Sequence, residues 1–262
     1  MIIDFHTHAF PDAIARSAMQ KLSAGEGNVP HYLDGTVAAL VASMDGARID
    51  KSVLLNIATR PGQEPSIFKF CISLLSNPRI IPFFSVHPDV KEGVKLIEEA
   101  ARAGIRGVKI HPYYQGVSLD DARYETIARA CADTGLVLLS HTGFDPGYER
   151  ERIADARKVL RLKQRIPPLK LVAAHFGGFD DWSDLSILAD SGVYLETSFV
   201  QHFNAPGRVA EMITQHGADM VLFGTDSPWT EQSEEVKKIT SLPLDKESIE
   251  KITFKNAENL LA

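Results

Sequence analysis

Apolar and polar positions along the chain fall into two alternating kinds of segment. Short apolar, β-branched runs bounded by turn residues lie at residues 1–5, 52–57, 79–86, 106–110, 136–140, 170–174, 193–197 and 220–224, and each has the length and composition of a strand. Between them, apolar residues recur at helical spacing over 36–47, 66–76, 90–103, 120–134, 152–165, 185–191, 207–217 and 248–261. Gly104, Gly135, Gly192 and Gly217 close several of these segments, as suits helix C-termini that need a left-handed residue. Strand then helix, eight times over with no Gly/Ser linker or composition break, predicts an α/β fold. The expected form is a (β/α)8 TIM barrel spanning residues 1–262 as a single domain, with a doubly wound sheet as the alternative. Residues 9–35 are the one elaboration, with a short helix expected over 14–22 and a polar, Gly-containing loop over 23–35.

Composition narrows the function by exclusion. With 262 residues, 44% hydrophobic and 24% charged, the chain can bury a large core. Its net charge of −6 and lack of a basic run argue against nucleic acid or an anionic membrane as partner and leave a small molecule. No basic stretch precedes the first strand and no apolar run approaches the roughly 18 residues of a membrane span, so a cytoplasmic protein is expected. Cys71 and Cys131 fall in separate helical segments and read as two buried thiols.

Candidate chemistry concentrates at strand ends. In "DFHTH", residues 4–8, strand alternation puts His6 and His8 on one face with Asp4 below them. Two steps along a strand span about 6.6 Å, which two imidazoles can close by leaning onto one metal ion. His87, His111, His141 and His175 end the third to sixth strands and Asp226 ends the eighth, so six of nine histidines close a strand. In a barrel those ends converge on the rim that builds the active site, and a metal centre explains the accumulation. His31, His202 and His216 lie outside the set, and His216 suits a helix C-terminus as a cation. By alternation His141 shares an inward face with Val137 and Leu139, His175 with Leu171 and Ala173, and Asp226 with Leu222 and Gly224. His111 shares its face with Lys109 and Gly107, and a lysine inside a barrel needs a partner.

Taken in order, "IDFHTH", "GVKIHP", "LLSHTG", "AAHFGG", "LETS" and "FGTDSPW" resemble the signatures of the amidohydrolase superfamily, in its amidohydrolase-related branch of metal-dependent TIM-barrel enzymes. The resemblance runs from residue 2 to the closing "NAENLL". It implies that His6, His8 and His141 are metal ligands and that Asp226 binds metal and handles the proton of the attacking water. It implies that His175 binds a second metal in binuclear members and acts near the substrate in mononuclear ones. One or two divalent ions per chain are thus expected, with Zn²⁺ favoured by imidazole and carboxylate donors, and the family suggests a homodimer. Other branches carbamylate a strand 4 lysine to bridge two metals; Lys109 is read here as a charged partner of the substrate.

The resemblance leaves the reaction open. The favoured expectation is hydrolysis of a C–N or C–O bond in a small amide, ester or lactone, with metal-activated water as nucleophile and Asp226 and His175 as acid–base groups. The alternative is a non-oxidative decarboxylase similar to aminocarboxymuconate semialdehyde decarboxylase. A non-catalytic metal-binding protein is disfavoured because no cysteine reaches the rim. Lys109, His111, Arg60, Tyr113 and Trp229 are the expected substrate contacts, with Tyr114, Phe144, Phe176 and Phe199 also following strand ends.

Overall fold

A computed structural model of the chain describes residues 1–25 and 29–262. Its eight strands are β1 (Ile3–Thr7), β2 (Lys51–Leu55), β3 (Ile80–Phe83), β4 (Gly107–Ile110), β5 (Val137–Ser140), β6 (Lys170–Ala173), β7 (Tyr194–Glu196) and β8 (Val221–Leu222). Every paired neighbour is parallel, in ladders β1-β2-β3 and β4-β5-β6-β7-β8. Parallel bridges between Phe84 and Val108 and between Thr7 and Ser227 join the two ladders into a closed ring. Backbone hydrogen bonds from Phe84 to Gly107 (2.8 Å) and from Phe5 to Phe223 (2.7 Å) seal the same two seams. The fold is the expected (β/α)8 barrel.

Strand alternation sorts the apolar residues into two shells. Phe5, Val53, Leu55, Phe83, Val137, Leu139, Val172 and Leu222 fill the barrel interior. Leu54, Phe84, Val108, Ile110, Leu138, Leu171 and Phe223 face outward onto helix residues such as Leu40, Met44, Ile97 and Leu162. Strands buried on both faces explain why the runs read as continuously apolar. Ala257 and Leu260 of the last helix join the interior shell, and Lys170 Nζ at the start of β6 donates to the Leu260 carbonyl at 3.1 Å. One end of the barrel is thereby plugged, leaving the C-terminal strand ends for chemistry.

Most expected helices appear within a few residues of their limits, at Val37–Ala47, Glu64–Leu74, Gly93–Arg102, Ala122–Thr134, Ala156–Arg165 and Pro206–His216. The segment expected at 185–191 is only a 3-10 turn, Leu185–Leu188, and the one at 248–261 is interrupted by a π turn, Lys251–Lys255. Helix Gln232–Thr240 was not anticipated because its buried side includes Gln232 and Glu235 rather than an apolar stripe. The helix after β1 runs over Asp12–Gly25, longer than expected; of the loop expected over 23–35, residues 26–28 lie outside the described residues. Cys71 and Cys131 are buried free thiols, as expected. Among the described residues no helix is long and apolar enough to cross a membrane.

Candidate metal centre and active site

A cavity of about 580 Å³ opens at the C-terminal strand ends, and His6, His8, Lys109, His141, His175 and Asp226 all line it. Four of these reach it through irregular backbone. Phe5 belongs to the interior shell, so strict alternation would turn His6 outward, but the β1–β2 register shifts between Asp4 and Thr7 and brings both imidazoles to the cavity. Asp4 does not sit beneath them. Buried, with its carboxyl raised to about 7 by desolvation, it accepts hydrogen bonds from Thr225 Oγ1 and Gln232 Nε2, both at 2.7 Å. That clamps β1 to the loop after β8.

The expected face of His175 is corrected by β6. Leu171 and Ala173 face the helices while Val172 and Ala174 face the interior. His175 turns inward because its backbone enters the left-handed region, at φ 53°, followed by Phe176 at φ 55°. Phe176 consequently joins the helix-side core and leaves the rim. Asp226 is left-handed as well, at φ 63°. Such backbone at non-glycine residues persists only where surrounding contacts fix it.

Hydrogen bonds assign the imidazole tautomers. His8 Nδ1 lies 2.9 Å from the Leu55 carbonyl, which can only accept, so this nitrogen carries the proton. His6 Nδ1 faces Glu196 Oε1 at 2.8 Å and does the same, while burial holds the His6 ring neutral. Both Nε2 atoms therefore present lone pairs, 3.1 Å apart. Asp226 Oδ1, a buried oxygen with no hydrogen-bond partner among the described residues, lies 3.2 Å from His8 Nε2 and 3.5 Å from His6 Nε2. Burial works to raise the Asp226 carboxyl, and the Lys109 ammonium works to lower it. Three electron-rich atoms thus converge with no proton between them. A divalent cation resolves that repulsion, and two imidazoles with a carboxylate are a donor set for Zn²⁺ or Mn²⁺.

His141 is not part of that trio but forms a second pair with His175. Its Nε2 donates to the Phe144 carbonyl at 3.0 Å, leaving Nδ1 bare and 3.1 Å from His175 Nε2. His175 Nδ1 lies 2.8 Å from Ser198 Oγ, whose own proton goes to Glu196 Oε1 at 2.7 Å, so His175 Nε2 is bare too. Burial keeps both rings neutral. His175 Nδ1 and Asp226 Oδ2 are 4.0 Å apart, so the two sets adjoin.

Lys109 points inward as expected and is 1% exposed. Desolvation lowers its ammonium to about 8 against the pull of Asp226, Glu196 and Asp145, and its Nζ makes no hydrogen bond or ion pair to another described residue. His111 also lines the cavity, stacked on His141 with ring centroids 4.1 Å apart. Its Nδ1 accepts from the Tyr114 amide at 3.4 Å and its Nε2 faces Asp145 Oδ2 at 3.5 Å. His111, His141 and Asp145 together place three donor atoms close enough to share a cation.

Other expected contacts are displaced. Arg60 is exposed outside the cavity, where its amide caps the turn through Gln63 Oε1 at 3.1 Å. Tyr113 packs behind His141 and its hydroxyl donates to the Glu151 carbonyl at 2.5 Å. Tyr114 lines the cavity instead, because Pro112–Gln115 is a helical turn and successive side chains rotate rather than alternate. His87 lies outside the cavity lining, its Nδ1 accepting from the Asp89 amide at 3.2 Å. His216 is not a cation: burial lowers it, and Nε2 donates to the Val193 carbonyl at 2.9 Å. Trp229, Phe144 and Phe199 form walls as expected, joined by Phe179 and Tyr148.

Sequence reasoning missed Glu196 and Ser198, although both stand in "LETS". Glu196 is fully buried, a carboxylate at the end of a three-residue strand, and the signal that singled out Lys109 applied to it equally. Gly224 makes its room: a Cβ there would lie 2.1 Å from Glu196 Oε2 and 3.1 Å from His6 Cβ.

Comparison with known proteins agrees with this architecture. Among solved structures, an uncharacterized TIM-barrel protein from Bordetella bronchiseptica superposes with a TM-score of 0.78 at 20% identity, covering 99% of this chain and 98% of that one. A 5-carboxyvanillate decarboxylase from Sphingomonas paucimobilis gives 0.77 at 16% identity, with 99% and 98% coverage. A dihydroxybenzoic acid decarboxylase from Polaromonas sp. JS666, solved with bound manganese and 2-nitroresorcinol, gives 0.76 at 17% identity, with 99% and 96% coverage. A probable dihydroorotase from Schizosaccharomyces pombe is 24% identical over 184 residues, 66% of this chain. The chain spans about half the length of that relative, 48% of which is matched. The amidohydrolase family model matches residues 3–262. The chain therefore belongs to the amidohydrolase family.

Proposed function

We propose that the protein is a metal-dependent hydrolase of a C–N or C–O bond in a small carbonyl compound, an amide, ester or lactone. The convergence of the His6 and His8 lone pairs with the unpartnered Asp226 Oδ1 carries this reading. A divalent ion bound there supplies Lewis acidity, polarising the carbonyl and acidifying water. Asp226, ionised and at the edge of the cavity, takes the proton from the attacking water. When a single ion is bound, the bare His175 Nε2 takes up a proton released at Asp226 and, once protonated, gives it to the leaving group. With two ions, His141 and His175 hold the second. The Lys109 ammonium, with no hydrogen-bonding or ion-pair partner among the described residues, faces a negative group of the substrate.

Decarboxylation is the second reading, favoured by that same unpaired ammonium and by the decarboxylases among the structural neighbours. It needs a strong cationic anchor for carboxylates; Arg60 stands outside the cavity, and Arg150, which lines it, is paired with Asp180 at 2.6 Å. The test is a screen of lactones, esters and amides for acid release, beside aromatic carboxylates for CO₂ release, with Zn²⁺ or Mn²⁺ supplied. Acid release from any of the first group supports hydrolysis. CO₂ release that is abolished by Lys109→Ala, with every ester, lactone and amide inert, overturns it.

A further inference from the structure

Glu196 holds four hydrogen bonds on one buried carboxylate. Oε1 accepts from His6 Nδ1 at 2.8 Å, from the His175 amide at 2.7 Å and from Ser198 Oγ at 2.7 Å, and Oε2 accepts from the Ser198 amide at 2.8 Å. These donors come from strand ends on three different parts of the ring, β1, β6 and β7. We propose that Glu196 is the positioning residue of the metal centre, fixing the tautomer and aim of His6 directly and of His175 through Ser198, so that both rings turn Nε2 lone pairs to the cavity.

A neutral imidazole can carry its proton on either nitrogen, and only the form with a bare Nε2 can bind a cation there. Packing alone does not choose between the two forms, whereas an acceptor-only carboxylate at Nδ1 does. Ser198 relays the choice: its single proton is given to Glu196, so its oxygen can only accept from His175 Nδ1. The His175 amide bond to the same oxygen also pins the left-handed turn that aims this ring. Gly224 leaves space for the carboxylate that any side chain would occupy. A carboxylate behind a ligating histidine makes the ring a stronger donor, and loss of such partners typically costs about 10- to 100-fold in metal affinity.

The inference rests on the reading that these histidines hold a divalent metal, so the experiment separates the two. Glu196→Gln keeps the shape but loses the charge, and its amide sets NH₂ against one of the donors. Ser198→Ala cuts the relay to His175 and leaves the bond to His6. The full-length chain is titrated with Zn²⁺ against a competing chelator, and histidine tautomers are read from long-range ¹⁵N–¹H spectra of the metal-free protein. Expected are single Nδ1-protonated forms of His6 and His175 in the wild type, and a mixed His6 signal with about 10- to 100-fold weaker Zn²⁺ binding in Glu196→Gln. Ser198→Ala is expected to mix His175 alone. Unchanged tautomers in both variants, or wild-type Zn²⁺ affinity in a folded Glu196→Gln, overturn the proposal. Should Glu196→Gln fail to fold, Ser198→Ala decides it: a His175 signal identical to wild type overturns the relay. A wild type that binds no Zn²⁺ sinks the metal reading, and the tautomer spectra still decide the role of Glu196.

Discussion

His6 Nε2 and His8 Nε2 face each other across 3.1 Å with their ring protons turned away, onto Glu196 in one case and the Leu55 carbonyl in the other. Two lone pairs at that distance, with Asp226 Oδ1 beside them, repel unless a cation lies among them.

The first prediction concerns metal and stability. Two apolar shells hold the barrel together independently of the cavity, so chelation should leave it folded while activity is lost. Metal at about 100 times its Kd should stabilise by about 2.7 kcal/mol, raising Tm by about 5–11 °C for a chain of this size. His8→Asn should lose most of that rise. Thermal scans with and without metal check it, and collapse of the far-UV CD signal on chelation would contradict it.

A second prediction follows from the facing nitrogens of His141 and His175. Elemental analysis at saturating metal should give two ions per chain, falling to one in His175→Asn, with the ion at His6, His8 and Asp226 retained. If His175→Asn keeps the full metal content and loses turnover, the ring acts on the substrate instead.

The barrel was legible because buried parallel strands are short apolar runs, and the strand-end histidines made the rim visible. Alternation then predicted the faces of Lys109 and His141 correctly, since β4 and β5 are regular. It failed at His175, where a left-handed backbone rather than strand geometry aims the ring. It failed at Tyr113, where a helical turn replaced the strand end. Arg60 shows that following a strand is not the same as facing its axis. Glu196 was as visible as Lys109, a charged residue on a buried strand; what no local pattern displays is its partner, His6, 190 residues away.

The third prediction is a pH dependence away from the cavity. Burial would raise the Glu235 carboxyl, but hydrogen bonds from His202 Nε2 (2.9 Å) and Lys238 Nζ (2.7 Å) hold it below its usual value. A carboxyl depressed in the folded state contributes stability that is complete above its unfolded value and lost as pH falls through the folded one. Glu235→Gln should therefore cost about 1–2 kcal/mol near neutrality, both partners being able to turn to water, and the difference from wild type should shrink under acid. Urea melts of the metal-free protein at pH 7 and at pH 4 measure it; a gap that widens at the lower pH would contradict the sign.

The last prediction isolates Asp226. An asparagine keeps the size of the side chain and one acceptor oxygen toward His6 and His8, but it carries no charge and cannot take a proton. Metal should therefore still bind, more weakly, while the proton-handling group is gone. If Asp226 takes the proton from water in the transition state, Asp226→Asn at saturating metal should lower kcat by about 10²- to 10⁴-fold with little change in KM. A residue that only anchored the ion would behave differently, because raising the metal concentration would restore turnover. Steady-state kinetics across a metal titration separate the two outcomes, and recovery of kcat to within about tenfold of wild type would remove Asp226 from the proton transfer and leave it as a ligand alone.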